Sequence, residues 1–529
     1  MTLEARNRPD RTAGEGDAVA PGPTLARPAP GAAEKRARLR RDAFRALAAL
    51  ALALTAALMA ASAAASPPGD ARSNFCALGL AFYLLALLVS LRSDGLGLTT
   101  FRLASWVLAG ASVLYGFATL SLAGQDRTGT FAAVDPALVP RASAVLAVGF
   151  TAFALGNKLH PKILMRPVVR LLDLGRSGLR TSVASRLAIF AVYCTGLGAT
   201  VAQLVLLGNY AYIGGSDVQS TTQSEGYTQV LVLLTSLRTY ALFAAAARFA
   251  LSGLLADRAC LLGLLCTELV IGLLGGTKES FVIALLAVLI PVVTLSGRRI
   301  PWAAIVVASA IFVFFVTPFV TSLRADVREG GSRLDAEESI RVGLESLVSG
   351  GSAVDGTDDG PREQLRTVVS RLRLIDNEIV IIDKTPVAIP YRPITEMAVA
   401  PVTAVIPRAV WPGKPLRVSG LEFYRAYYRG EGVSSSALTF QGSLYMYGGI
   451  GVAVAGMFVL GGALRAVDDA RERLGGLRGG LIATIVFVPV VKQELDAVSL
   501  LASIPVFLVT YYVVVLALFR RPTKGRPQS

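Results

Sequence analysis

The sequence predicts an all-α, polytopic integral membrane protein with about 12 transmembrane helices and one large external loop containing amphipathic helices. Hydrophobic side chains make up 53% of its 529 residues, and charged side chains make up 17%. Apolar runs of roughly 17 to 25 residues recur along the chain, and each is long enough to cross a hydrocarbon core of about 30 Å as a helix. Lys and Arg collect in alternate short loops, as expected when positively charged loops stay cytoplasmic.

These runs divide the chain into five predicted segments. Residues 1–43 form a disordered cytoplasmic tail rich in Pro, Ala, Gly and Arg, and residues 44–320 form a membrane domain of about nine helices. Residues 321–436 form an external loop domain, residues 437–519 a second membrane domain of about three helices, and residues 520–529 a cytoplasmic tail. The predicted spans cover residues 46–65, 75–91, 103–123, 142–155, 187–207, 227–247, 259–275, 280–295, 301–320, 437–463, 481–491 and 498–519.

The orientation follows from the basic flanks of these spans. Clusters of Lys and Arg precede the first span, lie between the fourth and fifth, follow the eighth and tenth, and close the chain. All of them fall on one side of a model with twelve spans, so both termini are predicted to be cytoplasmic. The end of the first span resembles a signal-peptide cleavage site, and the sequence leaves open whether this span is removed.

The net charge of +15 does not indicate a nucleic-acid partner. The cations follow the topology rule and no nucleic-acid motif accompanies them, so anionic membrane lipids are the expected partners. The four cysteines lie in predicted spans without a CxxC pair, which predicts free, buried thiols and no metal site.

Two helices are predicted in the external segment. In residues 334–348, apolar side chains share one helical stripe before two glycines. From Pro361 on, apolar residues recur at steps of three and four opposite Arg366, Arg371 and Arg373. This second pattern predicts an amphipathic helix that lies on the membrane face or caps the bundle.

A stiff cationic segment follows this helix. Residues 406–415 read Ile-Pro-Arg-Ala-Val-Trp-Pro-Gly-Lys-Pro. If the prolines hold the backbone in a polyproline II conformation, every third residue shares a face. Arg408, Trp411, Lys414 and Arg417 would then present two or three cations beside an interfacial aromatic ring.

This segment and a later one resemble bacterial O-antigen and oligosaccharide repeat-unit polymerases. That family has a Pro-Arg-x-x-Trp-Pro-x-Lys-Pro segment in the large external loop, followed by a Tyr- and Gly-rich entry into a late membrane helix. Here residues 442–451, Gly-Ser-Leu-Tyr-Met-Tyr-Gly-Gly-Ile-Gly, form that entry. Ser443 stands where related chains often have an acid, and Met446 where Asn is common, so no carboxylate role carries over to that site.

The resemblance implies a fold similar to GT-C glycosyltransferases in a bacterial cytoplasmic membrane. It implies transfer of a growing glycan from undecaprenyl diphosphate to another lipid-linked repeat unit at the outer face, without metal or cofactor. A chain-length regulator and a flippase are the protein partners that it suggests. An O-antigen ligase-like transferase is the nearest alternative.

That chemistry requires cations for the diphosphate, a positioned hydroxyl and a base. The candidate catalytic residues are Arg408, Lys414, Arg324, Glu279 and Glu422. The candidate residues for binding the carrier diphosphate or glycan are Lys278, Arg328, Trp411, Arg417, Tyr445, Arg238 and Glu268. Interfacial snorkelling and pairing with neighbouring acids are the structural alternatives for the single cations. Asp70, in the first external loop, is a further candidate base, whereas the single histidine, His160, lies in a predicted cytoplasmic loop.

Arg238 and Glu268 lie near mid-depth of two successive predicted spans. Antiparallel neighbouring helices would let them pair, which lowers the cost of burying each charge. A structural ion pair and a site in a substrate cavity both fit this pattern, and the second would also suit a polysaccharide transporter. The sequence has no Walker, GxSxG or HExxH motif, and the Asp358–Asp359 and Asp468–Asp469 pairs are assigned to a linker and a cytoplasmic loop. A non-catalytic membrane scaffold is the remaining class.

Overall fold

The computed structural model divides the chain into two compact units, residues 1–44 and 45–529. It describes residues 32–91, 101–122, 135–160, 165–173, 182–207, 228–274, 278–296, 311–312, 316, 320, 372–406, 410–411, 419–428 and 438–520. In the first unit the described residues form the start of helix α1 (Ala32–Ala65), on which Leu39 and Phe44 are exposed. The helix therefore begins within the stretch that composition assigns to the tail.

The described part of the second unit is helical apart from two short strands. Its first half contains the rest of α1, α2 (Asp70–Ser90), α3 (Leu103–Ala111), α4 (Val139–Leu159), α5 (Met165–Leu172), β1 (Ser182–Val183), α6 (Arg186–Leu207), α7 (Thr228–Ser252), α8 (Leu255–Leu274) and α9 (Lys278–Ser296). Its second half contains α10 (Ile375–Lys384), α11 (Thr395–Val405), α12 (Ser419–Tyr428), α13 (Phe440–Met446), α14 (Gly449–Leu474), α15 (Gly476–Val491), α16 (Ala497–Leu518) and β2 (Phe519–Arg520).

Seven helical segments among the described residues are long and apolar enough to cross a membrane. They are Asp42–Ala65, Asp70–Ser90, Leu103–Leu120, Pro136–Leu159, Lys278–Ser296, Gly449–Leu474 and Ala497–Leu518. Each overlaps a run that the sequence predicts as a span, so the helical class is confirmed and the seven segments are compatible with a membrane protein. The count of twelve and the sidedness stay predictions, and the predicted span 301–320 lies almost entirely outside the described residues.

Two predicted spans differ in their limits. The fourth is longer than its apolar run, because α4 continues to Leu159. The run 437–463 is not one helix: α13 ends at Met446, and α14 starts after a break at Tyr447 and Gly448. Gly449 has φ of +65°, and a Cβ there would lie 2.7 Å from the Tyr391 hydroxyl oxygen, so a glycine permits this turn.

Small residues bring α4 and α14 into close contact. A Cβ on Gly156 would overlap the carbonyl group of Phe458, and a Cβ on Gly461 would overlap the carbonyl group of Phe153. The Asn157 amide donates to the Gly461 carbonyl oxygen at 3.1 Å. Close backbone approach at small residues is how helices pack where lipid offers no hydrophobic driving force.

An apolar cluster joins α6, α7, α8 and α9 with α15 and α16, and Phe243 and Leu481 lie in its interior. The strands tie the C-terminal end to this region, with Ser182 paired to Arg520 and Val183 to Phe519 in antiparallel register. Immediately after β1, the Ala184 amide donates to the Leu518 carbonyl oxygen at 2.8 Å. Backbone hydrogen bonds therefore fix the end of α16 against the start of α6.

Three sequence predictions are corrected here. The cysteines are free, but Cys194 and Cys266 are exposed rather than buried, since they lie on helix faces that the described residues do not cover. Asp468 lies in helix α14 rather than in a loop, and it accepts a hydrogen bond from the Leu103 amide. The amphipathic helix is described from 372 on, and α10 is buried on every side from Ile375 to Ile382 because other helices cover its polar face as well.

Candidate functional site

Glu378 occupies the centre of the candidate site. Helix α10, which carries it, lies in the predicted external segment and packs against α4, α12 and α13. The Glu378 side chain is fully buried. Its Oε1 accepts a hydrogen bond from the Thr439 hydroxyl. Within the part of the chain that the structure describes, Oε2 has no hydrogen-bond partner of normal geometry. A buried carboxyl group with one unused oxygen is costly unless it has a function or a polar ligand.

Contacts with the end of α3 and with α12 hold α10 in this position. The Leu374 amide donates to the Leu114 carbonyl oxygen at 3.2 Å. Leu114 lies in a π-helical turn (Ser112–Gly116) that continues α3, where regular helix hydrogen bonding is interrupted. On the other side, the Tyr428 hydroxyl of α12 donates to the Asn377 side-chain oxygen at 2.7 Å, and the Tyr427 and Thr385 hydroxyls lie 2.6 Å apart.

Thr439 and Gly442 shape the pocket around the carboxyl group. Thr439 caps α13, and its hydroxyl oxygen accepts from the Gly442 amide at 3.0 Å. A Cβ on Gly442 would lie 2.8 Å from that hydroxyl and 3.0 Å from Glu378 Oε2. A glycine is therefore required where α13 passes the carboxyl group.

Burial sets the protonation of Glu378. Desolvation raises its pKa from 4.5 to about 7, and the Thr439 hydroxyl and the Gly442 amide reduce this rise. A carboxyl group that titrates near neutral pH can both take and give a proton under physiological conditions.

A small cavity lies next to the Thr439–Gly442 turn, with Gln441 of that turn in its lining. It has a volume of about 30 Å³, and Tyr115, Gln441, Gln493 and Leu495 contribute to its lining. Tyr115 is fully buried and interacts electrostatically with Glu378 and Thr439. Gln441 donates to the Val145 carbonyl oxygen at 2.8 Å, and its buried Oε1 has no partner among the described residues. A water needs about 10–15 Å³ and two or more polar partners, so the cavity suits ordered water.

Charged residues surround the loop between α15 and α16 at the far side of this cavity. Lys492 donates to Glu279 at 3.0 Å, which pairs the first turn of α9 with this loop. Glu279, a predicted catalytic acid, is therefore salt-bridged and exposed. Gln493 has φ of +58°, and its side chain donates to the Val107 carbonyl oxygen at 2.7 Å. Glu494 is exposed, and the charges of Lys492 and Glu279 act on it electrostatically.

Glu422, the other predicted catalytic acid in the described residues, belongs to a separate cluster. Arg392 lies 3.5 Å from Glu422 and 4.0 Å from Glu396, and the Tyr447 hydroxyl donates to Glu396 at 2.9 Å. Burial lowers the pKa of Arg392, but Tyr447 and the two carboxylates raise it more, so the guanidinium stays charged. This cluster fixes the segment before α11 to the break between α13 and α14.

Arg238 and Glu268 meet as one of the two sequence interpretations predicts. Their side chains are nearly fully buried, and Arg238 Nε lies 3.5 Å from Glu268 Oε1. A Cβ on Gly196 would lie 2.7 Å from Arg238 Cγ, so α6 leaves room for the arginine. The geometry shows a buried ion pair between α7 and α8.

The remaining predicted site residues do not converge on one point in the described structure. Tyr445 is buried in an apolar cluster with residues of α4, α10 and α14, whereas the Trp411 side chain is 39% exposed. Lys278 begins α9, and Asp70 begins α2 with its side chain exposed. Arg324, Arg328, Arg408, Lys414 and Arg417 lie outside the described residues. The described residues contain no group of three or more His, Cys, Asp or Glu side chains that could hold a metal ion.

A family model described as a domain of unknown function, DUF8712, matches residues 200–501. The chain belongs to this family. No curated protein and no solved structure matches it. The DUF8712 region includes Glu378, Thr439 and the loop that carries Glu494, whereas Tyr115 lies outside it. The family description states no activity, so the resemblance to polysaccharide polymerases stays a prediction.

Sequence reasoning about this DUF8712 protein missed Glu378, Thr439, Arg392 and Glu494. For Glu378 a signal was present. The apolar stripe of Ile375, Ile379 and Ile382 also contains position 378, because residues three and four apart share a helix face. An acid on the apolar face of an amphipathic helix indicates a buried carboxyl group.

Proposed function

We propose that this protein polymerises undecaprenyl diphosphate-linked oligosaccharide repeat units into a surface polysaccharide. The observation that carries the proposal is the buried Glu378 carboxyl group, which contacts the Thr439–Gly442 turn at the start of the later segment that resembles the polymerases. This carboxyl group supplies the base that such a reaction needs, and its pKa of about 7 suits the role.

The proposed step is a displacement at the anomeric carbon of the lipid-linked donor glycan. The acceptor hydroxyl oxygen forms a bond to that carbon, and Glu378 takes the hydroxyl proton. The bond from the anomeric carbon to the diphosphate oxygen breaks, and its electron pair leaves with the lipid diphosphate. Arg408 and Lys414 are proposed to bind the negative charge that develops on this leaving group.

Several features support a location in a bacterial cytoplasmic membrane with the site at the outer face. The described structure brings together residues that the topology prediction places on the same side. Glu279 contacts Lys492 on the predicted outer side, and Arg186 and Arg248 both contact Asp257 on the predicted inner side. Membrane lipids, a chain-length regulator and a flippase are the proposed partners.

Two alternatives share part of this evidence. A ligase-like transferase would use the same base and leaving group with a different acceptor. A transporter of lipid-linked oligosaccharides is favoured by one observation, the Arg238–Glu268 ion pair inside the helix bundle. Transport requires no chain extension, so a glycan product separates the two classes.

The test uses full-length protein in lipid nanodiscs with undecaprenyl diphosphate-linked repeat units. We expect wild-type protein to extend the glycan, and Glu378→Gln to lower the rate by at least about 100-fold, the effect typical of losing a general base. Glu472→Gln, which changes an exposed acid at the predicted inner side, is the matched control and should extend normally.

The cationic segment has its own variants. Arg408→Ala and Lys414→Ala should abolish extension, whereas Arg425→Ala, at an exposed arginine of α12, should not. Chain extension at the wild-type rate by Glu378→Gln, or by both cationic variants, would refute the corresponding role. No extension by folded wild-type protein would refute the polymerase proposal.

A further inference from the structure

The Glu378 proton requires a route out of the protein. Under the proposed function each turnover leaves one proton on Glu378, and this side chain is fully buried. The base cannot act again until that proton reaches solvent. Polar groups and a small cavity lie between α10 and the loop after α15.

The first part of the route is a chain of hydroxyl groups. The Thr439 hydroxyl donates to Glu378, and Tyr115 interacts electrostatically with both residues. Tyr115 also lines the cavity. A proton leaving Glu378 passes to the Thr439 oxygen, the Thr439 proton passes to Tyr115, and the Tyr115 proton passes to water. Thr439 and Tyr115 each gain one proton and lose one, so the net result is the transfer of one proton from Glu378 to water in the cavity.

The second part of the route leads from the cavity to the surface. Gln493 and Leu495 line the cavity, and the exposed Glu494 lies between them in the sequence. Glu494 also acts electrostatically on Tyr115, so the two groups are close enough to influence each other. The unpartnered Gln441 Oε1 offers an acceptor for water inside the cavity.

We propose that Thr439, Tyr115 and the adjoining cavity form a proton path between the buried Glu378 and Glu494 at the surface. The inference rests on the proposed function for its purpose, but the path itself is a property of the fold. Glu494 collects the proton at the predicted outer face, where Lys492 and Glu279 hold the loop in place.

Few other titratable groups face this path. Among the described residues, the Thr439 hydroxyl and the Gly442 amide are the hydrogen-bonding groups that act on Glu378. Next to it on α10, Asp376 pairs with Arg373 at 2.8 Å. On α12, Tyr427 and Tyr428 are engaged by Thr385 and Asn377. Tyr115 is thus the titratable group that connects Glu378 to the cavity.

The test follows hydrogen–deuterium exchange of the Glu378 carboxyl group by infrared spectroscopy, on full-length protein in nanodiscs without any glycan. The infrared spectrum of wild type should contain a carbonyl band from a protonated carboxyl group. If this band is absent in Glu378→Gln, it belongs to Glu378. We expect Tyr115→Phe to slow exchange of this band by about tenfold or more. Tyr83→Phe is the matched control, because the Tyr83 hydroxyl makes a 2.6 Å hydrogen bond to another threonine, Thr151, away from the path.

A second pair of variants tests the path without changing Tyr115. Thr439→Ser keeps the hydroxyl and should exchange at the wild-type rate, whereas Thr439→Ala should exchange slowly. Equal exchange rates in wild type, Tyr115→Phe and Thr439→Ala overturn the path. The glycan assay is separate: slow exchange in the variants without chain extension by wild type would keep the path and reject the polymerase.

Discussion

At the scale of single residues, the protein tolerates a buried acid that lowers its stability. The Glu378 carboxyl group has a pKa of about 7 in the folded protein, against 4.5 in an exposed setting. Between these values the folded state binds more protons than the unfolded state, so stability falls as the pH rises. Above the folded pKa the structure must hold a carboxylate with one oxygen that accepts no hydrogen bond of normal geometry from the described residues. Such a cost is typical of functional sites rather than of structural cores.

This cost predicts a pH-dependent effect of Glu378→Gln on stability. The glutamine keeps an oxygen for the Thr439 hydroxyl and cannot ionise. At about pH 8 the variant should be more stable than wild type by as much as about 3 kcal/mol, and near pH 4 the two should converge. Thermal unfolding in detergent at both pH values measures this.

Glu472→Gln is the control for this measurement, since Glu472 is 44% exposed and its replacement should leave the pH dependence unchanged. The same stability difference between Glu378→Gln and wild type at both pH values would contradict a raised pKa.

At the scale of helices, glycines decide which surfaces meet. The α4–α14 crossing depends on Gly156 and Gly461, at which the opposing backbone leaves no room for a side chain. At Gly442, the side chains of Thr439 and Glu378 leave no room for a Cβ where α13 passes α10. These contacts place α13 and α14 on either side of a break that apolar patterning does not reveal. The crossing therefore positions the Thr439–Gly442 turn as well as the helices.

We predict that Gly461→Val separates α4 from α14. Because the added carbons would overlap the Phe153 carbonyl group, the expected loss is about 3 kcal/mol or more, at the upper end of overpacking effects. Gly451→Val changes the same helix where no atom lies within 4 Å, and it should cost far less. Melting temperatures from size-exclusion chromatography of heated samples compare the two. Equal melting temperatures would argue against a close crossing.

At the scale of the whole molecule, one cluster of charges joins residues that the topology prediction places on the same side. Asp257 at the start of α8 pairs with Arg186 and Arg248, and all three belong to the predicted inner side. Burial raises the pKa of Asp257. Hydrogen bonds from Arg186, Ser252 and Arg248 outweigh this effect and lower the pKa to about 2. The carboxylate therefore stabilises the fold at neutral pH, and this contribution is lost as the pH falls below about 4 toward 2.

The topology itself is tested by cysteine labelling. In a variant with the four native cysteines replaced by serine, Asp358→Cys should react with an impermeant thiol reagent added to intact cells. Glu472→Cys, on the predicted inner side, should react only after the membrane is permeabilised. Mass shifts on a gel report both reactions. The reverse pattern would invert the orientation and move the proposed site to the cytoplasm.

The sequence by itself determined the seven long apolar helical segments that the structure describes, because a helix satisfies its backbone hydrogen bonds locally and its apolar length depends only on consecutive residues. The same logic predicted the Arg238–Glu268 pair, since two charges at equal depth in successive helices have few other partners.

Only the tertiary structure decided where the candidate base lies. Glu378 and Thr439 are 61 residues apart, and Tyr115 comes from a different membrane segment. Their meeting depends on the helix break before α14 and on glycine-permitted contacts, both of which arise from packing between distant segments. Burial by those segments raises the Glu378 pKa, so the chemistry of this acid is a property of the fold.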